Sequence, residues 1–227
     1  MSAEPWVPED ADLDGLRTAA IQCRGCELWE PATQVVFSAG NDHARLALVG
    51  EQPGDVEDQR GIPFVGPAGQ LLQRALADAG VTPQQVYVTN AVKHFRFTER
   101  GKRRIHATPQ VRHIHACRPW LTRELQIVDP ALVVCLGATA AKSLIGPDFR
   151  VTQQRGRVLE LPTPVGVRPV LATVHPSSIL RTQGPDRDEA YAGLVADLRT
   201  AAEFLTTGVP ENRASEDTGP AQEPPLA

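Results

Sequence analysis

Four residues with different side-chain chemistry follow apolar runs of the sequence: Glu51, Phe64, Asn90 and His175. Together they could bind a planar heterocycle, because Phe64 would stack on the ring and Asn90 would hydrogen-bond its edge. His175 would stabilise the charge that develops on such a ring during a reaction. The same residues also fit a Gly/Pro-rich turn, a strand-end Asn and a helix-start His, so the pattern alone leaves both interpretations open.

The elements that position these residues are predicted by alternating apolar and helical patterns. Strands are predicted at 44–50, 86–92, 131–137, 157–161 and 169–174. Helices are predicted at 11–23, 66–80, 108–128, 138–146 and 188–205. In the third helix, Thr108 is the expected N-cap, Pro109 opens the first turn, and Pro119 predicts a break. Strands separated by helices indicate a parallel sheet that binds ligands beyond the carboxyl ends of its strands.

Length and composition are those of one folded domain. The 227 residues are 41% hydrophobic and 22% charged, which excludes a wholly disordered chain. We expect a loose arm at 1–10, a domain at 11–206, and a disordered tail at the polar, Pro-rich segment 207–227. The sequence has neither a long uncharged apolar stretch nor an apolar N-terminal core. It therefore predicts no membrane association and no signal peptide, and we expect a cytoplasmic monomer.

The charge is unevenly distributed along the chain. Residues 93–118 hold eight Lys or Arg and one acid, a local charge of +7 in a chain whose net charge is -4. A compact basic block on an acidic protein is typical of a polyanion-binding surface. A solvated basic loop explains the charge equally well.

Four cysteines in a reducing compartment point to metal binding or burial rather than to disulfides. Cys23 and Cys26 have the spacing of a metal clip, and Cys117 and Cys135 would complete a four-cysteine site. Cys135, however, lies inside the apolar run 131–137, where a small buried thiol is ordinary.

Several motifs occur in a fixed order over residues 23–205: CRGC, GEQPG, GIPFVGPAGQLL, VYVTNAVKHF, CRPWL, LGATAA and VHPSSIL. This set resembles the uracil-DNA glycosylase superfamily, and within it the iron–sulfur enzymes of family 4. Two features depart from that family: Gln52 replaces an Ala or Gly, and the segment after VK is longer and contains KRRIH. Both departures resemble the UdgX subfamily, which becomes covalently joined to uracil-containing DNA. The implied fold is a three-layer αβα sandwich with a central, mainly parallel four-stranded sheet.

The resemblance implies a DNA-repair enzyme whose partner is uracil-containing DNA, single-stranded or with the base flipped from a duplex. His106 would form a covalent adduct with the abasic site, Glu51 would stabilise its imidazolium, and His175 would donate to uracil O2. The implied uracil-binding residues are Gln52, Asp55, Asp58, Phe64 and Asn90. The implied DNA-binding residues are Lys102, Arg103, Arg104 and Ser177. The alternatives are an ordinary hydrolytic family 4 glycosylase that releases its product, and a non-catalytic nucleic-acid-binding module.

The resemblance also implies a [4Fe–4S] cluster. In family 4 the third cluster cysteine follows VK, a position that His94 occupies here. The implied ligands are Cys23, Cys26, His94 and Cys117. By coordination chemistry alone, three thiolates and an imidazole suit zinc best. Whether Cys135 replaces His94 as a ligand stays open.

Overall fold

The structure, a computed structural model, describes residues 1–208. Its strands are β1 (Ser38–Gly40), β2 (Leu46–Gly50), β3 (Val86–Asn90), β4 (Phe97–Arg100), β5 (Arg103–His106), β6 (Leu132–Leu136), β7 (Val158–Thr163) and β8 (Gly166–Thr173). Its α-helices are α1 (Leu13–Ala20), α2 (Asp55–Arg60), α3 (Pro67–Asp78), α4 (Val111–Val128), α5 (Ala138–Leu144), α6 (Val151–Gln154), α7 (Pro176–Arg181) and α8 (Pro185–Thr207).

The main sheet has the strand order β1-β3-β2-β6-β8-β7. Strands β2, β3, β6 and β8 are parallel, and they correspond to the predicted strands at 44–50, 86–92, 131–137 and 169–174. The edge strands β1 and β7 pair antiparallel with their neighbours, so the sheet has six strands rather than the four that the resemblance implies. Strand β7 corresponds to the predicted strand at 157–161, and β1 was not predicted. The predicted fold class, a mainly parallel sheet between helical layers, is confirmed.

Both faces of the sheet are covered because successive strand residues point to opposite sides. On one face, Val49 and Val133 belong to a core that includes residues of α1, α4 and α5. On the other, Leu48 and Val134 pack with residues of α3, α7 and α8. All five residues of β2 are buried, as expected of a parallel strand covered on both sides.

The basic segment differs from the sequence analysis in two details. Residues 97–106, for which no strand was predicted, fold into a hairpin, because β4 and β5 pair antiparallel from Phe97 opposite His106 to Arg100 opposite Arg103. The following helix begins at Val111 with Gln110 as its N-cap, not at Thr108.

Pro119 does not break helix α4. A proline inside a helix removes one backbone hydrogen bond and crowds the preceding turn. Here the flanking residues Cys117, Trp120 and Leu121 are at most 5% exposed. Their burial stabilises the continuous helix more than the lost bond destabilises it.

The N-terminal segment, expected to be a loose arm, packs on the domain. Ala3 is 1% exposed, and its N–H donates to the Ala116 carbonyl of α4 at 2.7 Å. Residues 209–227, most of the predicted tail, lie outside the described residues. Among the described helices, none is long and apolar enough to cross a membrane.

Candidate active site

A cavity of about 580 Å³ opens at the carboxyl ends of the parallel strands. The register of the sheet pairs Gly50 with Asn90, so Glu51 leaves β2 at the point where β3 ends with Asn90. The cavity brings together most of the residues singled out in the sequence: Glu51, Gln52, Phe64, Asn90, His106, His175 and Ser177.

The floor of the cavity depends on very close packing around Phe64. A Cβ atom at Gly50 would lie 2.3 Å from Asn90 Oδ1 and 2.7 Å from Phe64 Cζ. A Cβ atom at Gly69 would lie 1.8 Å from the Phe64 carbonyl oxygen, so α3 packs directly on this residue. Phe64 itself has a φ of 57°, a strained value for a bulky residue and one that is typical of functional sites.

Asn90 contributes a buried amide to the cavity wall. The residue is 2% exposed, and Lys93 Nζ donates to its main-chain carbonyl at 3.0 Å. No group of residues 1–208 hydrogen-bonds its side-chain amide. The amide is not among the buried side-chain groups that lack a partner in the described residues, so it is accessible from the cavity, where a ligand can bond it.

His175 is held as a neutral hydrogen-bond donor. The Ser177 N–H donates to His175 Nδ1 at 3.1 Å, and the Ser177 hydroxyl lies 2.8 Å from the same nitrogen. Since Nδ1 accepts, the proton of the neutral ring resides on Nε2. Burial lowers the pKa of His175 to about 4, so the ring is uncharged at neutral pH. Ser177, expected to contact DNA, thus orients His175.

Glu51, His106 and Thr139 form a chain of polar contacts across the cavity mouth. His106 Nε2 lies 3.2 Å from Glu51 Oε1, and the Thr139 hydroxyl donates to Glu51 Oε2. Burial would raise the pKa of Glu51, but the contacts with His106 and Thr139 outweigh it, and the pKa is lowered. The carboxylate is therefore ionised beside the imidazole, an arrangement that can hold a ring N–H or stabilise an imidazolium.

Several residues of the cavity were missed by the sequence reasoning, among them Thr139, Glu57 and Arg181. Thr139 lies in the first turn of α5, which follows β6, so the strand-end rule applied to LGATAA could have found it. Glu57 lines the cavity and accepts the Gly66 N–H at 2.8 Å. The sequence pattern points to Glu57 less clearly, because helix α2, on which it lies, was not predicted.

Asp55 and Asp58 are not among the residues that line the cavity, and their expected role in the uracil pocket stays a prediction. Arg104 NH1 lies 2.6 Å from Asp58 Oδ2, and Arg104 NH2 lies 2.6 Å from Asp55 Oδ1. The guanidinium of Arg104 thus clamps β5 to α2, and its expected contact with DNA stays a prediction. The carboxylates are thus engaged in the clamp, with Asp58 0% exposed.

Lys102 and Arg103 are exposed at the turn of the hairpin. Their charges are free to meet phosphates, the contact that dominates salt-dependent DNA affinity. At the base of the same hairpin, Gln52 lines the cavity while its side-chain amide bonds the hairpin backbone.

Three of the four expected cluster ligands lie together beneath the N-terminal segment. The Trp120 Nε1–H donates to Cys23 Sγ at 3.3 Å, and the Lys93 N–H donates to Cys117 Sγ at 3.3 Å. Burial raises the pKa of the Cys117 thiol to about 12, and Cys26 and Cys23 add to the rise, which reflects their proximity. N–H donors on sulfur are typical of thiolates that bind metal.

The other two candidate ligands differ in their surroundings. His94 is 6% exposed, and burial lowers its pKa to about 4, which keeps the imidazole neutral as a ligand must be. Cys135 lies in β6, is 0% exposed, and has its pKa raised to about 12 by burial. Within 1–208 no three His, Cys, Asp or Glu side chains are grouped as one metal ion requires. A four-iron cluster would bind one ligand on each iron, so its four ligands need not surround a single metal ion.

Comparison with known proteins identifies the family. The profile of the "Uracil DNA glycosylase superfamily" matches residues 37–199. The chain is 34% identical to the Type-4 uracil-DNA glycosylase of Thermotoga maritima over 185 residues, which cover 81% of this chain and 90% of the relative. It is also 34% identical to the Type-4 uracil-DNA glycosylase of Archaeoglobus fulgidus over 172 residues, covering 74% and 83%. The cavity lies within the matched residues, and the chain belongs to the uracil-DNA glycosylase superfamily, with type-4 enzymes among its relatives.

Proposed function

We propose that the protein removes uracil from DNA by cleaving the bond between N1 of the base and C1′ of its sugar. The observation that carries this proposal is the Asn90 amide, which lines the cavity beside Phe64 and His175 and has no hydrogen-bond partner among residues 1–208. Uracil offers a flat ring and a polar edge that match these groups. To enter a cavity of this size the nucleotide must leave the base stack or come from a single strand.

The three side chains would act at different stages of the cleavage. Phe64 would stack on the ring, and Asn90 would bond its O4 and N3 edge. As the N1–C1′ bond breaks, uracil leaves as an anion and the sugar acquires oxocarbenium character. The neutral Nε2–H of His175 would then strengthen its bond to uracil O2, which stabilises the transition state more than the ground state.

Replacing Asn90 with Ala should lower the rate of uracil excision by about 10- to 100-fold, because one edge of the base loses its partner. The affinity for uracil-free DNA should stay close to that of the unmodified protein. Excision is measured as free uracil released from a single-stranded oligonucleotide, and affinity by fluorescence anisotropy. Asn41→Ala, at an exposed turn that bonds the Gln84 carbonyl, is the matched control. An equal loss of excision and DNA affinity would assign Asn90 a role in folding instead.

Two candidate functions remain, and they differ in what reacts with C1′ of the sugar after uracil leaves. The type-4 relatives favour ordinary hydrolysis, in which a water captures C1′ and the abasic DNA is released. In that case Glu51 and His106 would hold the water at the cavity mouth. The position of His106 favours a second candidate, because its imidazole lines the cavity 3.2 Å from a carboxylate oxygen.

In this second candidate, His106 captures the sugar. The ring nitrogen that Glu51 does not hold donates its lone pair to C1′, and the electrons of the broken bond leave with uracil. The proton on the other ring nitrogen passes toward Glu51 and can neutralise the uracil anion. The neutral N-glycosyl imidazole that remains is a poor leaving group, so the protein would stay joined to DNA after one turnover. We propose this capture as the finer function of the site.

We further propose that a [4Fe–4S] cluster is bound by Cys23, Cys26, Cys117 and His94. The N–H hydrogen bonds that Cys23 Sγ and Cys117 Sγ accept support this ligand set. When bound, the cluster would supply a covalent cross-link rather than chemistry at the base. Cys117 lies on α4 and His94 follows β3, so the link would join the N-terminal segment to the elements beside the cavity.

Cys117→Ser should lose the cluster, whereas Cys135→Ser should keep it, because Cys135 packs in the core of β6. Iron and acid-labile sulfide are measured on anaerobically purified protein, together with the broad violet-blue absorbance of such clusters. Circular dichroism checks that each variant is folded. Stoichiometric zinc without iron in the unmodified protein would overturn the cluster assignment.

A further inference from the structure

A second groove lies beside the cavity, between helices α4 and α5. Its volume is about 720 Å³, and Thr139 lines both the groove and the cavity. The segment that enters α4 also belongs to both, because Thr108 lines the cavity and Pro109 lines the groove. A polymer with one unit in the cavity can therefore continue directly into the groove.

The groove is basic. Val111, Ile114, His115 and Arg118 line it with the spacing of one face of α4, and Lys142 lines it from α5. No Asp or Glu of residues 1–208 is among the lining residues. The charge of the groove is thus of one sign, which suits an anionic ligand.

The two permanent cations of the groove are not neutralised by the protein. Arg118 and Lys142 are exposed, and within the described part of the chain their side chains have no hydrogen-bond or ion-pair partner. Arg104 of the hairpin, by contrast, is held by two carboxylates. Arg118 and Lys142 are therefore free to contact phosphates, which release counterions when they are neutralised.

Apolar surface forms much of the rest of the groove. Val111 is 66% exposed, and Pro162 and Pro164 line the groove from the end of β7 and the turn that follows it. An isolated phosphate ion has no use for such surface. A nucleic-acid strand offers phosphates to the cations, and sugar and base faces to the apolar residues.

We propose that this groove binds the single strand of DNA next to the uracil nucleotide, with Arg118 and Lys142 contacting its phosphates. The inference rests on the proposed uracil excision, because a nucleotide held in the cavity brings its neighbours to the groove. No residue of the β4–β5 hairpin lines this groove, so the surface is additional to the turn of that hairpin. The strand would leave the protein near Arg118, because the next depression, which Arg118 also lines, contains Glu4 and Glu9.

The test measures the affinity of single-stranded oligonucleotides by fluorescence anisotropy. Each carries one 2′-fluorinated deoxyuridine, because the fluorine opposes positive charge on the sugar and the base is retained. The uracil has a flank of one nucleotide or of several, on its 5′ side or its 3′ side. The unmodified protein is compared with Lys142→Ala and Arg118→Ala. Arg199→Ala is the matched control, because Arg199 is an exposed cation of α8 that lines neither the groove nor the cavity.

A longer flank should strengthen binding on one side of the uracil, and each variant should bind that long oligonucleotide roughly 3- to 10-fold more weakly at low salt. The slope of log affinity against log salt should become less steep by about one for each cation removed. Both variants should bind the shortest oligonucleotide as the unmodified protein does. Unchanged affinity of both variants at every length would overturn the proposal and leave the groove to an acidic protein segment. An equal loss at every length would also overturn it, because the cations would then not act on the flank.

Thymine oligonucleotides of the same lengths separate this proposal from the proposed function. A protein that binds the uracil analogue no better than thymine would contradict uracil recognition in the cavity. A loss in Lys142→Ala and Arg118→Ala that grows with flank length would support the groove with either base. The absence of any such growth with either base would overturn the groove even if uracil is recognised.

Discussion

His106→Ser should abolish the covalent protein–DNA adduct while uracil release continues. The substitution removes the proposed nucleophilic nitrogen and leaves Phe64, Asn90 and His175, the residues proposed to expel the base. A serine also leaves room at the cavity mouth for water to reach C1′, so the abasic product would be released and the enzyme would turn over. The expected change is from one uracil released per protein to many, measured as free uracil against protein concentration.

His43→Ser is the matched control, because His43 lies on a loop outside the cavity. This variant should form the adduct as the unmodified protein does. An adduct that persists at full yield in His106→Ser, or that maps to another residue, would exclude His106 as the nucleophile. Multiple turnover by the unmodified protein would support the hydrolytic candidate.

His175→Ala should reduce the rate of uracil excision by roughly 10²- to 10³-fold, the usual cost of removing one donor to a developing anion. Adduct formation should fall by the same factor, because capture follows departure of the base. This coupling would distinguish His175 from His106, whose loss should abolish the adduct without slowing departure of the base. Single-turnover kinetics with enzyme in excess measure both steps on one substrate.

Ser177→Ala offers a milder version of the same experiment. It removes the hydroxyl beside His175 Nδ1 but keeps the Ser177 backbone N–H bond that fixes the tautomer. Its rate should therefore lie between those of His175→Ala and the unmodified protein.

Since the pKa of His175 is about 4, protonation of this ring should not slow excision until the pH approaches that value. A His175→Ala variant with the unmodified rate would contradict the donor role.

The sequence rules located the cavity well because they depend on topology. Parallel strands end at one edge of a sheet, so residues directly after each strand must meet there. Glu51, Asn90 and His175 were found in this way, and the buried strand β2 was evident from its continuous apolar run. Thr139 also follows a parallel strand, but it was overlooked because a threonine side chain by itself does not indicate a particular chemistry.

Features that depend on tertiary contacts were not predictable from local patterns. Asp55 and Asp58 look like site residues by position, but the clamp with Arg104 forms only when the hairpin folds back on α2. The edge strand β1 has three residues and no apolar alternation to reveal it. Pro119 is tolerated because of burial that a one-dimensional pattern does not record.

The mass of the intact protein after incubation with a single-stranded uracil oligonucleotide tests the central claim most directly. The account predicts one equivalent of free uracil and a protein heavier by the oligonucleotide less the uracil base, with the added mass mapped to the peptide that contains His106. Free uracil with an unchanged protein mass would contradict capture and leave the hydrolytic glycosylase. The absence of both free uracil and a mass change would contradict the assignment of the cavity to uracil excision.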